Sequence, residues 1–201
     1  MTADILKIGM AHRAAPGEEH SGDRFFLQQS GGHALLALID GLGHGVQAAA
    51  AAEAARASLV DGGGRSVSLL LQTCHARLRE TRGAALTVLR FDTTAWQLEW
   101  AGVGNVMAVL LHPESGRISR TELLVRGGVA GVQLPSTAPT RLPIAPGDML
   151  VAATDGVHSS FAHGITHIET PQRLAERLLT RYCTGYDDAM VVVAQIQRSD
   201  A

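Results

Sequence analysis

Ala34-Leu35-Leu36-Ala37-Leu38-Ile39-Asp40-Gly41-Leu42-Gly43-His44-Gly45 is the stretch on which the reading of this chain turns. Six apolar residues in a row, stopped by Asp-Gly, predict a buried strand that ends at a turn. Glycine at every second position from Gly41 to Gly45 makes that turn tight. Val46–Val60 follows, almost all alanine, with Glu53, Arg56 and Leu59 among it. Alanine is the best helix former, and its small side chain lets a helix lie close against a sheet. The stretch therefore predicts a buried strand and a packed helix with an aspartate at the joint.

Reading outward, Ile5–Ala11 predicts a strand, His12–Gly22 a loop with Pro16 and Gly17, and Arg24–Gln29 a second short strand. Asp61-Gly62-Gly63-Gly64 ends the first helix. Ser66–Thr81 predicts another, with Leu69, Leu70, Thr73 and Leu78 as its apolar stripe and Arg77, Arg79, Glu80 and Arg82 as its wet face. Ala84–Phe91, Ala95–Ala101, Val106–Leu111 and Arg117–Leu124 predict an antiparallel meander. Its turns would be Asp92-Thr93-Thr94, Gly102-Val103-Gly104-Asn105 and Pro113–Gly116. Gly127-Gly128 and Gly131 fall in a loop, and Pro143–Asp148 in a turn. Met149–Ala153 reads as a strand ending at Thr154-Asp155-Gly156, Pro171–Tyr182 as a helix with proline at its start, and Met190–Ile196 as the last strand. The expectation is one α+β domain over residues 1–201, with two packed antiparallel sheets and helices on their outer faces.

Composition narrows the function. Of 201 residues, 46% are hydrophobic and 18% charged, as in folded globular chains. The net charge of −2 supplies no basic field, and the 4% aromatic content no stacking platform, so a nucleic-acid partner is not expected. Cys74 and Cys183 have no CxxC spacing and fit a reducing compartment, which points to the cytoplasm. The longest apolar runs, His33–Ile39 and Val106–Leu111, fall far short of the ~20 residues a membrane span needs. Asp4 and Lys7 near the start, with no long apolar segment, argue against a signal peptide.

The aspartates carry the chemistry. Asp40 and Asp155 each end an apolar strand and precede glycine; Asp23 and the pair Asp187-Asp188 each stand just before a strand. Carboxylates gathered at one rim repel unless a cation lies between them. Hard oxygen ligands select Mg²⁺ or Mn²⁺ over Zn²⁺, and two such ions ~3.5–4 Å apart can acidify a shared water and clamp a phosphoryl oxygen. The plainer reading stands beside this one: Asp-Gly is an ordinary turn pair.

Asp40–Gly45 before an alanine-rich helix, Ala153-Thr154-Asp155-Gly156, and Asp187-Asp188-Ala189-Met190-Val191-Val192-Val193 follow one another in an order that resembles the PPM (2C-type) metal-dependent protein phosphatases. Ser21-Gly22-Asp23-Arg24-Phe25 and Ala101-Gly102-Val103-Gly104-Asn105-Val106 resemble the bacterial SpoIIE-like branch, and the short chain resembles its stand-alone stressosome members. The resemblance runs from about Ile8 to Ile196. It implies an αββα sandwich and hydrolysis of phosphoserine or phosphothreonine by water activated on two Mn²⁺ or Mg²⁺ ions. Asp40 would bridge the ions, with the Gly41 carbonyl on one, Asp155 and Asp187 on the other, Asp188 as the alternative to Asp187, and Asp23 in the outer shell. It also implies phosphorylated STAS-domain stressosome proteins as substrates; a monomer is the simplest expectation for a compact enzyme that meets a large partner. Two departures stand out: Met190 replaces a Ser or Thr common in the family, and Gly22 rather than Glu precedes Asp23. No single arginine is marked to grip phosphate.

Other features carry less. His44 offers a general acid, a phosphate contact, or a cap for the helix; the helix start after Gly45 offers backbone N–H groups to an anion, or only packing. His163 and His167 have ligand-like spacing without a third partner and read as surface residues. Arg13, Arg24 and Arg126 offer phosphate contacts but read more simply as solvated, and Cys74 and Cys183 read as small core residues. The glycine-rich turn lacks the Lys-Ser/Thr of a nucleotide-binding loop. An active phosphatase, a silent module of the same fold that docks a regulator, and a small-molecule phosphoesterase are the readings that remain.

Overall fold

The computed structural model describes residues 4–114, 117–136 and 138–198. In chain order the elements are β1 (Leu6–Arg13), β2 (Asp23–Ser30), β3 (His33–Gly41), α1 (Gly45–Ser58), α2 (Val67–Arg77), β4 (Ala84–Asp92), β5 (Gln97–Val103), β6 (Met107–Glu114), β7 (Arg117–Leu123), β8 (Thr140–Pro143), β9 (Met149–Ala153), a short 3-10 helix (Ser159–Ala162), α3 (Pro171–Tyr182) and β10 (Ala189–Ile196). Two five-stranded sheets result, in the orders β1-β10-β9-β6-β7 and β2-β3-β4-β5-β8. All their pairings are antiparallel.

The sheets stack face to face, and α1 with α2 cover one outer face while α3 covers the other: the expected αββα sandwich. Strand β3 shows why its sequence is apolar without alternation. Leu36 and Leu38 enter the core between the sheets, while Leu35, Ala37 and Ile39 meet α1 and α2. A strand buried on both faces has no polar side to show. The alanines of α1 that touch the sheet layer, Ala51, Ala52 and Ala55, are fully buried. Gly41 extends this close fit, since a Cβ there would collide with the Ala48 carbonyl of α1. On the far side Val151, Val191 and Val193 pack against Leu174 and Leu178 of α3. Among the described residues no helix is long and apolar enough to cross a membrane.

Three expectations are corrected. The four middle strands are not one meander. Strands β4 and β5 pair in one sheet and β6 and β7 in the other, and Gly102–Asn105 carries the chain across. Two strands buried on both faces look alike in sequence whichever sheet takes them. Helix α2 is rotated and shorter than expected. Val67, Leu70, Leu71, Cys74 and Leu78 face inward, Leu69 is 46% exposed, and the helix stops at Leu78, so Arg79, Glu80 and Arg82 lie beyond it. Ser66 fixes that phase by capping, its side chain accepting from the Leu69 N–H at 3.3 Å. Finally, Pro143, expected to open a turn, ends the edge strand β8 (Thr140–Pro143), whose first three residues carried no expectation; it is held by Arg141 on Glu99. Ser115-Gly116 of the expected third turn lie outside the described residues.

Candidate functional site

Asp23 opens β2 and Asp40 lies one residue before the end of β3, and the two are direct partners across that pair. The pairs behind them, Phe25 with Leu38 and Leu27 with Leu36, face the core between the sheets. The aspartates therefore cap the end of that core. Like charges directly opposite on an antiparallel pair are destabilising.

The other sheet brings its own acids to the same end. Asp155 follows β9, and Asp187 and Asp188 precede β10, the neighbour of β9. Thr154 ties the two sheets together. Its hydroxyl donates to Asp23 Oδ2 at 2.8 Å and accepts from the Met190 N–H at 2.9 Å. Asp188 ties in the β1–β2 loop, where Oδ1 accepts from the Ala15 N–H at 2.8 Å and Oδ2 from the Gly22 N–H at 2.7 Å. Glycine at 156 allows the turn after Asp155 to press on this strand, because a Cβ there would collide with the Asp188 carbonyl.

The electrostatics follow from that crowding. Asp23 is buried, and its Oδ1 has no hydrogen-bond partner among the described residues. Its carboxyl is pushed up to about 7, first by burial; the Thr154 hydrogen bond opposes this, and Asp188, Asp155 and Asp187 add repulsion. Asp40 is pushed to about 9, again by burial first and then by Asp23, Asp155, Asp187 and Asp188. Asp155 is raised by desolvation and then by Asp187, while Asn105 Nδ2 donates to its Oδ2 at 2.5 Å and pulls the other way. Among the described residues no Lys, Arg or His forms an ion pair with any of these acids.

The geometry divides the predicted site residues. Asp23, Asp40, Asp155 and Asp187 influence one another at the rim. Asp188 belongs to the same cluster but spends both oxygens on backbone N–H groups, while Asp187 Oδ1 accepts only the Asp188 N–H, at 2.8 Å. His44 stands apart, with Nδ1 2.6 Å from Glu18 Oε1 and no capping bond to α1. His163 and His167 pair separately with Glu122 and Glu169 on the surface. Arg24 is occupied by the Ser21 and Asp23 carbonyls and by Glu53, and Arg13 and Arg126 are exposed. Cys74 is buried between α1 and α2, its thiol raised to about 11 by burial. Sequence reasoning assigned no role to Thr154 or Asn105. Thr154 precedes Asp155 and Asn105 sits in the crossover, but their bonds join segments distant in the chain.

Among the described residues no three His, Cys, Asp or Glu side chains stand close enough to hold one ion by themselves. Mg²⁺ does not require that. It keeps several waters and is commonly held by one or two carboxylates. An orphaned buried carboxylate oxygen, two carboxyls driven far above their ordinary range and an all-oxygen donor set fit a hard divalent cation.

Two antiparallel sheets between helix layers, with aspartates at one rim, define the PP2C-type phosphatase fold. The chain belongs to the SpoIIE family: the model for Stage II sporulation protein E matches residues 30–197. It is similar to phosphoserine phosphatase RsbX of Bacillus subtilis (strain 168), 28% identical over 100 residues. That match spans 50% of each protein, so the chain covers about half the length of the curated relative. A chain solved in work on the bacterial stressosome superposes with a TM-score of 0.86 at 29% identity, covering 94% of this chain and 99% of that one. RsbX in complex with magnesium superposes with a TM-score of 0.85 at 21% identity, covering 96% of each.

Proposed function

We propose that this chain, acting as a single catalytic domain, is a Mg²⁺- or Mn²⁺-dependent phosphatase. It hydrolyses phosphoserine and phosphothreonine on STAS-domain proteins of a stressosome in the cytoplasm. The observation that carries this reading is the convergence of four aspartates from both sheets with no cation among the described residues to balance them. Asp40 would lie between two ions, the Gly41 carbonyl would serve one, and Asp155 with Asp187 the other, with Asp23 in the outer shell. Such ions, when bound, acidify a water and neutralise charge on a phosphoryl oxygen.

The chain's own residues do the positioning. Asn105 holds one oxygen of Asp155. Thr154 fixes Asp23 through Oδ2 and leaves Oδ1 free for a further partner. Asp188 acts as a bolt for the loop that leads into Asp23, a role that favours Asp187 as the ligand. The stressosome assignment is supported by the RsbX relative and by the stressosome structure that this chain resembles. The test is p-nitrophenyl phosphate hydrolysis across a Mn²⁺ titration, with chelator and Asp40→Asn as controls. Turnover that needs metal and disappears in the variant is expected. Turnover indifferent to both overturns the site; a folded protein with no turnover at saturating metal favours the silent docking module.

A further inference from the structure

Beside the acidic rim lies a surface that the chemistry does not use. Leu42, next to Gly41, is 47% exposed, and Val132 is 69% exposed. Single exposed aliphatics need no explanation, but these two come from separate segments that both close on Gly83. The Leu42 N–H donates to the Gly83 carbonyl at 3.0 Å. A Cβ on Gly83 would stand 2.7 Å from Val129 Cγ1 and 3.5 Å from Val132 Cγ2. Ala84 and Ala130 exchange two backbone hydrogen bonds, 3.0 and 2.9 Å, which hold the third segment in place.

Arg82 completes the patch. Its side chain returns over the β3–α1 turn, with Nη1 2.9 Å from where a Cβ on Gly43 would be. Arg82 is exposed and has no carboxylate or hydrogen-bond partner among the described residues. Register fixes the neighbourhood: Asp40 pairs with Ala85 and Gly41 with Ala84, so Arg82 emerges just past the rim.

We propose that Leu42, Arg82 and Val132 form the docking surface for the protein substrate, receiving an apolar residue and an acidic residue that flank the phosphorylated side chain. This rests on the protein-phosphatase reading above and names what that reading leaves open, the sequence around the phosphosite. Charge complementarity selects the occupant. Arg82 is exposed and without a carboxylate partner among the described residues, and its guanidinium offers an incoming carboxylate a two-pronged contact. A small phosphate ester has no use for the two aliphatic side chains.

The experiment compares three synthetic phosphoserine peptides of equal length with p-nitrophenyl phosphate, all at saturating Mn²⁺. One peptide carries Leu and Glu flanks, one Leu and Lys, one Gly and Ser. The wild type is expected to favour the Leu/Glu peptide in kcat/KM by about tenfold over the Gly/Ser peptide, the scale of one charge-assisted contact. Arg82→Glu reverses the preference between Glu and Lys flanks, Arg82→Lys keeps it, and Val132→Asp weakens both leucine peptides. None of the three changes p-nitrophenyl phosphate turnover. Both sites are exposed, so unchanged melting temperatures are expected. Equal turnover of the three peptides overturns the surface and leaves the protein-phosphatase reading standing. Aryl phosphate hydrolysis with no peptide hydrolysed removes both. Proportional loss on every substrate, or a dimer that Val132→Asp dissolves, also overturns the proposal.

Discussion

Replacing Asp40 by Asn should stabilise the metal-free protein while abolishing its activity. The Asp40 carboxyl, ordinarily at 3.8, sits at about 9 in the fold. At pH 7 the unfolded chain has released that proton and the folded chain has kept it, so the folded state binds more protons and stability falls as pH rises. The loss begins near pH 4 and continues towards pH 9. Each pH unit in which only the unfolded state is ionised costs ~1.4 kcal/mol, and about three such units separate 3.8 from pH 7, giving at most ~4 kcal/mol. Asn carries no proton to lose, and its amide can donate to the carboxylates around it. Taking ~2–4 kcal/mol, and ~2–4 °C per kcal/mol for a chain of this size, the variant in chelator melts ~5–15 °C above the wild type at pH 7. The gap closes near and below pH 4, where Asp40 of the wild type becomes protonated in the unfolded as well as the folded state. Magnesium narrows it from the other side, raising the wild-type melting temperature by mass action and the variant's much less. Thermal melts from pH 4 to 8, with chelator and with Mg²⁺, give the whole surface. A variant that melts at or below the wild type at pH 7 in chelator refutes the reasoning, because burial and the neighbouring acids would then not be holding the Asp40 carboxyl in its neutral form.

Asn105→Ala removes the one side chain that, among the described residues, donates to Asp155; kcat is expected to fall about 10–100-fold, the usual cost of losing a group that orients a metal ligand, with the melting temperature little changed. Thr154→Val strands Asp23 Oδ2 and the buried Met190 N–H together, and urea unfolding should show a loss of ~1–3 kcal/mol or more. His44→Ala breaks only an exposed pair with Glu18, worth ~0–1 kcal/mol; steady-state assays should find turnover within about threefold of wild type, and a loss as deep as that of Asp40→Asn would give His44 a catalytic role.

The joint at Ala34–Gly45 was legible because every local signal agreed there: an apolar run of strand length, a glycine turn, then helix formers. The same holds for Pro171–Tyr182 and for the strands around Asp155 and Asp188. Sheet membership was not legible. Gly102–Asn105 has the composition of a hairpin turn, and β5 and β6 are apolar on both faces, so no local signal says that they belong to different sheets. The phase of α2 escaped because two apolar stripes, one through Leu69 and one through Leu71, fit a helical period about equally well; the pocket under α1 and Ser66 chose the second. The aspartates were found as a set, yet their division of labour was hidden. It depends on hydrogen bonds between residues more than a hundred positions apart, such as Thr154 with Asp23.

That division follows from strand parity. Along β10, Met190, Val192 and Ala194 face the core between the sheets, and Val191 and Val193 face α3. Asp188 continues the first row and Thr154 continues the matching row of Leu150 and Ala152 on β9. Both therefore arrive at the closed end of the core beside Asp23. A buried carboxylate there must find donors, and the backbone of the β1–β2 loop supplies two. Asp155 and Asp187 fall on the opposite parity and stay nearer solvent. Elsewhere the sandwich is sealed by leucine and valine; at this end it is sealed by polar bonds around acids that repel. Such a closure is weakest when the acids are ionised and unbalanced, so the cation that supports catalysis also completes the fold. Turnover should then half-saturate at the Mg²⁺ concentration above which the melting temperature begins its logarithmic climb, and a climb that begins at a different concentration would show that the rim is closed by something other than the ion.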